Sequence, residues 1–143
     1  MNINFKIMTA GEFFGTLQDS VTKEWREHLK TNKYSTHEAL DEFYKEMPEK
    51  IDALIEAWQA DNDVITDYEN ILDYGLDAIQ FLYALKEHVK AGRAELLHGQ
   101  TELESMADDI LGQIDYTLYK LKHLSESRIS LCEYVKLFEA NKL

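Results

Sequence analysis

Residue types that bind first-row transition metals occur in two groups in the first half of the chain. His28 and His37 are nine residues apart, and Asp52 and Glu56 follow as a pair spaced by four. Imidazole nitrogens and carboxylate oxygens together suit iron, manganese or zinc. Asp52 lies fifteen residues after His37, which is roughly 22 Å along one helix. A metal ion that used all four side chains would therefore need ligands from more than one chain.

Helical segments are predicted to carry these groups, because apolar residues recur at intervals of three and four along most of the sequence. The predicted helices cover about residues 9–32, 36–60, 76–97 and 101–124, with shorter ones around 65–72 and within 125–143. Short links within each pair and a longer connection between the second and third helices favour one all-α domain over residues 1–143. Its predicted architecture is a four-helix bundle with a short C-terminal helical extension.

The second predicted helix contains a start signal and a bend signal. The run Ser35-Thr36-His37-Glu38 is typical of a capping box, which predicts that the helix starts at about Thr36. Pro48 lies inside the apolar pattern and removes a backbone donor. We expect a kink or local break near Tyr44 and Met47, without a division into two helices.

A dimer would bring the two groups of ligands together. His28 and His37 flank the turn between the first two helices, whereas the carboxylate pair lies about four turns away. If two copies pack their second helices antiparallel about a twofold axis, the histidines of one copy meet the carboxylates of the other. The metal hypothesis thus predicts a dimer with two intersubunit sites. Asp41, one turn after His37, is interpreted as an acceptor that orients an imidazole ring.

These motifs resemble those of a known family. The pattern His37-Glu-x-Leu-Asp41-x-Phe, followed by Asp52 and Glu56, resembles the ferroxidase signature of Dps-type miniferritins in the ferritin-like superfamily. Over about residues 10–124 the chain is also similar to small ferritin-like proteins encoded by bacteriophages. The resemblance implies a ferritin-like bundle that oxidises Fe(II) with peroxide or oxygen, for iron sequestration or protection against oxidative stress. It also implies intersubunit iron ligands and an assembly that often closes into a dodecamer.

The sequence departs from the Dps pattern in three places. The spacing between His28 and His37 is shorter than in the family, and Leu29 replaces the tryptophan that often follows its first histidine. The chain lacks a lysine-rich amino-terminal tail, so DNA binding is not implied. Glu95-Leu-Leu-His98 occurs only once, whereas the other ferritin pattern needs two such motifs in one chain, and we interpret it as a helix-end feature.

A metal-free interpretation remains open on the residues alone. Carboxylates spaced by four are common on acidic helices, so Asp52 and Glu56 could be a polar flank. His28 could be a core histidine that is hydrogen-bonded to a neighbour. The chain would then be a non-enzymatic helical interaction or structural protein, such as a virion component or an acidic ligand of a host protein. Glu24 is predicted to be solvated, and His88 and His123 are predicted to lie at the surface.

The composition excludes several other classes. With 15 basic and 27 acidic residues the net charge is −12, which disfavours binding to nucleic acids and to anionic membranes. The single cysteine, Cys132, cannot form an internal disulfide and is interpreted as a packing residue. No signal peptide or membrane span is predicted, and no glycine-rich phosphate loop or nucleophile elbow is found. We therefore expect a cytoplasmic protein.

Overall fold

The computed structural model describes residues 6–124, together with Lys136, Glu139 and Ala140. Its helices are α1 (Ala10–Lys30), α2 (Tyr34–Gln59), α3 (Ala78–Leu96) and α4 (Thr101–His123). No strand occurs in this part of the chain, so the prediction of an all-α bundle with four long helices is confirmed. Most of the predicted C-terminal helix, including Cys132, lies outside the described residues.

The helices run up, down, down and up along the bundle. His88, in the second half of α3, donates from Nε2 to the carbonyl of Phe13 near the start of α1, at 3.0 Å. Lys120 near the end of α4 pairs with Glu42 near the start of α2. Thus α3 is antiparallel to α1, and α4 is antiparallel to α2. Because α2 and α3 are parallel, the chain between them must travel the length of the bundle.

Apolar side chains from all four helices form one core, as their spacing predicts. The largest fully buried side chains are Phe13, Phe14, Leu17, Leu40, Phe43, Met47, Leu54, Phe81, Leu82, Leu85, Leu97 and Ile110. Each helix makes contact with two others, and α1 packs on α2 and α3. The face of α1 that packs on α2 positions the predicted site.

The connection over residues 60–77 contains neither helix nor strand, so the short helix predicted around 65–72 is absent; most of the connection runs alongside α1 as an irregular, largely open segment. The prediction was wrong because the apolar residues of this segment contact the core without forming a helix. Ile65 and Leu72 are half-buried and anchor the segment against the core. A non-helical chain can cover more than twice the distance per residue that a helix covers, which suits a segment that must return along the bundle.

Helix α1 supplies hydrogen-bond partners to this connection. The amide of Glu69 donates to the carbonyl of Gly11 at 3.1 Å, and the amide of Ile71 donates to the hydroxyl of Thr16 at 3.0 Å. Tyr74 donates its hydroxyl proton to the carbonyl of Asp19 at 2.7 Å. These bonds satisfy polar groups that an irregular segment cannot satisfy by itself.

The two glycines at the start of α1 allow this close approach. A Cβ atom at Gly15 would lie 2.6 Å from the carbonyl oxygen of Glu69. We expect Gly15→Ala to lower the free energy of unfolding by about 1–2 kcal/mol, because the displaced backbone outweighs the gain in helix propensity. Urea denaturation tests this. Gly112→Ala on α4 is the control, since nothing lies within 4 Å of its added Cβ, and it should stabilise the protein slightly.

Helix α2 differs from its predicted start and, as predicted, is not divided into two helices at Pro48. Helix α2 begins at Tyr34 after Lys33, which provides no side-chain cap, so the predicted capping box starting at Ser35 does not form the boundary. The helix continues through Pro48 without a break. Gly99 follows α3 with a φ of +81°, the left-handed conformation that glycine often adopts just after a helix end. Among the described helices, none combines the length and apolar character that a membrane span requires.

A candidate metal centre at the α1–α2 turn

A three-residue turn between α1 and α2 brings the two predicted histidines together. The rings of His28 and His37 are stacked, with centroids 3.6 Å apart and planes inclined by 20°. His28 is buried at 5% exposure, whereas His37 is half-buried. Because only three residues connect the helices, the last helical turn of α1 lies beside the first helical turn of α2. The sequence therefore placed both rings correctly as neighbours.

Reciprocal hydrogen bonds fix the orientation of both rings. Nδ1 of His28 lies 2.7 Å from the carbonyl oxygen of His37, and Nδ1 of His37 lies 2.9 Å from that of His28. A carbonyl oxygen only accepts, so each Nδ1 must carry the proton. In a neutral ring the lone pair is then on Nε2, which becomes the nitrogen available to a metal. The main chain thus provides the orienting contacts to both rings.

Asp41 lies beside the histidines on the side of Nε2. Its Oδ1 is 3.8 Å from Nε2 of His28, and the carboxylate accepts hydrogen bonds from the Tyr44 hydroxyl at 3.0 Å and from Lys45 at 2.9 Å. The hydrogen bond from Lys45 holds the pKa of Asp41 below its ordinary value. The carboxylate therefore lies on the Nε2 side of His28, whereas backbone carbonyls occupy the orienting position at Nδ1.

The other two predicted ligands, Asp52 and Glu56, are exposed near the opposite end of α2. Asp52 borders an open groove between α1 and α2. Within residues 6–124, no cluster of three or more His, Cys, Asp or Glu side chains lies close enough to hold a metal ion. One copy thus presents a histidine pair and a separate carboxylate pair on the same two helices.

Glu24 is a buried carboxyl group, so the prediction that it is solvated is wrong. Its exposure is 0%, and neither carboxyl oxygen has a hydrogen-bond partner. Burial raises the pKa of Glu24 to about 9, so the group is a neutral acid at pH 7. The spacing contained the signal, because Glu24 lies seven residues after the core residue Leu17 on the same helical stripe.

His88 also differs from its prediction, because it is buried at 5% exposure. Its ring packs near Phe13, and burial lowers its pKa. His88 lies seven residues after the core residue Phe81, and this helical spacing is the feature of the sequence that indicates its burial.

His98 is exposed, and the carboxylate of Glu95 accepts a hydrogen bond from the Met8 amide at 2.9 Å.

Comparison with known protein families gives a match. A family of unknown function (DUF5856) matches residues 28–121, a range that begins at the first histidine of the candidate site and continues to the last turns of α4. No curated protein and no solved structure matches the chain.

Proposed function

We propose that this chain, which belongs to the DUF5856 family, is a ferritin-like protein that binds and oxidises Fe(II) at sites shared between two copies. His28 and His37 of one copy and Asp52 and Glu56 of the other would provide the ligands. The oxidation would serve iron sequestration or protection against peroxide. Manganese or zinc could occupy the same ligands.

The observation that carries this proposal is the reciprocal pair of hydrogen bonds between the histidines. Both Nδ1 atoms donate to backbone carbonyls, which leaves both Nε2 atoms as potential ligands. Histidines that bind metals almost always donate their other ring N–H to a carbonyl, a carboxylate or water. A histidine that only fills space in a core does not require a second histidine with the same Nδ1-to-carbonyl hydrogen bond beside it. The paired arrangement therefore supports a role in metal binding.

The order of the helices also supports the ferritin-like assignment. The up-down-down-up arrangement with one long crossover between α2 and α3 is the connectivity of ferritin-like bundles. In this protein the crossover is an irregular segment along α1. It leaves the surface of the α1–α2 pair around Pro48 and Asp52 accessible to a second copy.

The ligand set suits ferrous iron in chemical terms. Two neutral nitrogen donors and two carboxylates form a mixed site of the kind that binds iron, and each bound Fe(II) would give one electron to peroxide or oxygen. Both carboxylates come from a surface that is exposed in one copy. Their negative charge would offset that of the cation only when the two surfaces meet.

Anaerobic titration of the purified protein with Fe(II) tests the proposal. We expect saturable binding, and after oxidant is added we expect ferric absorbance to rise faster than in a protein-free blank. His37→Ala should lose most of both signals, since it removes one of the two nitrogen donors. His98→Ala is the matched control, because His98 is exposed and remote from the α1–α2 turn.

Two results would contradict the proposal. One is binding no stronger than the blank, which would favour a helical interaction protein that keeps the bundle without iron chemistry. The other is wild-type oxidation in His37→Ala, which would place any iron site elsewhere. Circular dichroism of each variant confirms that the loss of signal does not come from unfolding.

A further inference from the structure

Trp25 lies near the two histidines and is 49% exposed. Its indole stacks on the ring of Tyr44, with centroids 5.5 Å apart and planes inclined by 18°. Tyr44 in turn contacts the ring of His28 edge-on at 5.1 Å. The indole is therefore held in place while half of its surface is uncovered. An ordered, half-exposed tryptophan is typical of an anchor in a protein–protein interface.

An open groove of about 250 Å³ lies farther along the same pair of helices. Its lining residues are Gln18, Val21, Pro48, Ile51, Asp52 and Ile55. An apolar cavity of about 150 Å³ is large enough for a benzene ring, so the groove is of suitable size for part of an indole. Its walls are mainly apolar, as the body of an indole ring requires.

The α1–α2 pair has exposed lysines at its turn end and exposed carboxylates toward its other end. Lys30 and Lys33 are exposed beside the histidines at the turn, where Lys30 also pairs with Glu27 at 3.4 Å. Asp52 and Glu56 are exposed toward the other end, on a chain whose net charge is −12. Two copies that pack antiparallel would place each lysine end on the carboxylate end of the other. This charge complementarity favours a second copy of the chain as the occupant of the groove.

The register of such a dimer follows from the proposed metal centre. The proposed metal centre places His37 opposite residues 52–56 of the other copy. Because the two α2 helices are antiparallel, a residue later in one helix faces a residue earlier in the other. Tyr44 comes seven residues after His37, so it faces residues 45–49 of the second copy. Trp25 stacks on Tyr44 and therefore faces the same interval, which contains Pro48 at the groove.

We propose that Trp25 of each copy inserts into the groove at Pro48 of a second copy, so that two symmetric aromatic anchors hold the dimer. This inference rests on the proposed function, which sets the register. Lys45 of both copies would lie near the twofold axis. Each is neutralised by Asp41 of its own chain at 2.9 Å, so the axis does not bring two unpaired cations together.

Cross-linking between different chains tests the contact directly. In a Cys132→Ser background, a Trp25→Cys chain is mixed with a tagged Pro48→Cys chain, which keeps its own Trp25. The mixture is treated with a short bismaleimide in the presence of EDTA, at a protein concentration high enough for dimers with only one tryptophan anchor to form. We expect a mixed cross-linked dimer. Glu38→Cys replaces Pro48→Cys in the control, because Glu38 is exposed on the same helix but lies ten residues nearer the turn. The control should give only background cross-linking.

Sedimentation of the metal-free protein provides a second measurement. Trp25→Ala should raise the dimer dissociation constant by about tenfold or more, as expected for a tryptophan anchor. Tyr119→Ala should leave it unchanged, because Tyr119 is 53% exposed on α4. Absence of the mixed cross-link, or dimerisation of Trp25→Ala with wild-type affinity, would overturn the inference.

The iron titration separates this inference from the proposed function. Iron binding by a dimer that does not depend on Trp25 would overturn the anchor alone. A dimer that depends on Trp25 but binds no iron would support the anchor and contradict the proposed iron chemistry.

Discussion

Mixing two inactive variants is expected to restore about a quarter of the wild-type capacity for Fe(II) oxidation. A His37→Ala dimer lacks a histidine in both sites, and an Asp52→Ala dimer lacks a carboxylate in both. After random exchange, about half of the dimers contain one chain of each kind. One of their two sites then combines the intact His37 with the intact Asp52, and the other carries both defects.

The experiment measures the initial rate of ferric absorbance after the two chains are unfolded together and refolded. Each variant treated alone is the first control and should stay near the blank. A mixture of His37→Ala with His28→Ala is the second control, because both defects fall in the same half of the site. Recovery in that mixture, or none with Asp52→Ala, would refute a site built from His37 of one copy and Asp52 of the other.

Glu24→Leu should raise the free energy of unfolding at pH 7 by about 3.5 kcal/mol. The pKa of Glu24 is about 9 in the fold and 4.5 in its ordinary environment. Below pH 4.5 the group is protonated in both states, and between pH 4.5 and about 9 only the unfolded state releases the proton. Stability therefore falls as the pH rises through this interval. At pH 7, which is about 2.5 pH units above 4.5, keeping Glu24 protonated in the fold lowers the free energy of unfolding by about 1.4 kcal/mol for each of these units.

Urea denaturation at pH 5, 7 and 9 measures this effect. The advantage of Glu24→Leu over the wild type should grow with each step in pH. Glu24→Gln should share the pH dependence of the leucine variant but gain less, because its amide remains buried without a partner. Glu87→Leu is the exposed control, since the side chain of Glu87 is 76% exposed. A constant difference between Glu24→Leu and the wild type across this range would contradict the elevated pKa.

Helical periodicity predicted the bundle because the core is built from regular stripes. The boundaries of α1, α3 and α4 agree with the predicted ranges to within about two residues. Periodicity failed for the connection over 60–77, because two apolar residues seven apart can anchor an irregular chain as well as a helix. The spacing of Gly11 and Gly15 by four on α1 was the available signal that a backbone passes close to that face.

For His28 and His37, the sequence predicted that the two residues are neighbours but not how their rings are held. The spacing of His28 and His37 around a turn was sufficient to bring their rings together. It could not reveal that each ring bonds to the main chain of the other, because that depends on the geometry of the turn. The burial of Glu24 and His88 was not predicted because ionisable residues are usually exposed. Their positions on the apolar stripes of α1 and α3 indicate burial instead.

The paired histidines have a further consequence for the thermodynamics of ligand binding. Because each ring is tied to the opposite helix by a hydrogen bond and stacked on its neighbour, both side chains have already lost most of their rotational freedom in a single copy. Any ion that binds both Nε2 atoms would pay little additional conformational entropy for the rings. A metal site built on these two rings would be preorganised on the histidine side, and its main ordering cost would fall on the proposed carboxylate ligands, which are exposed.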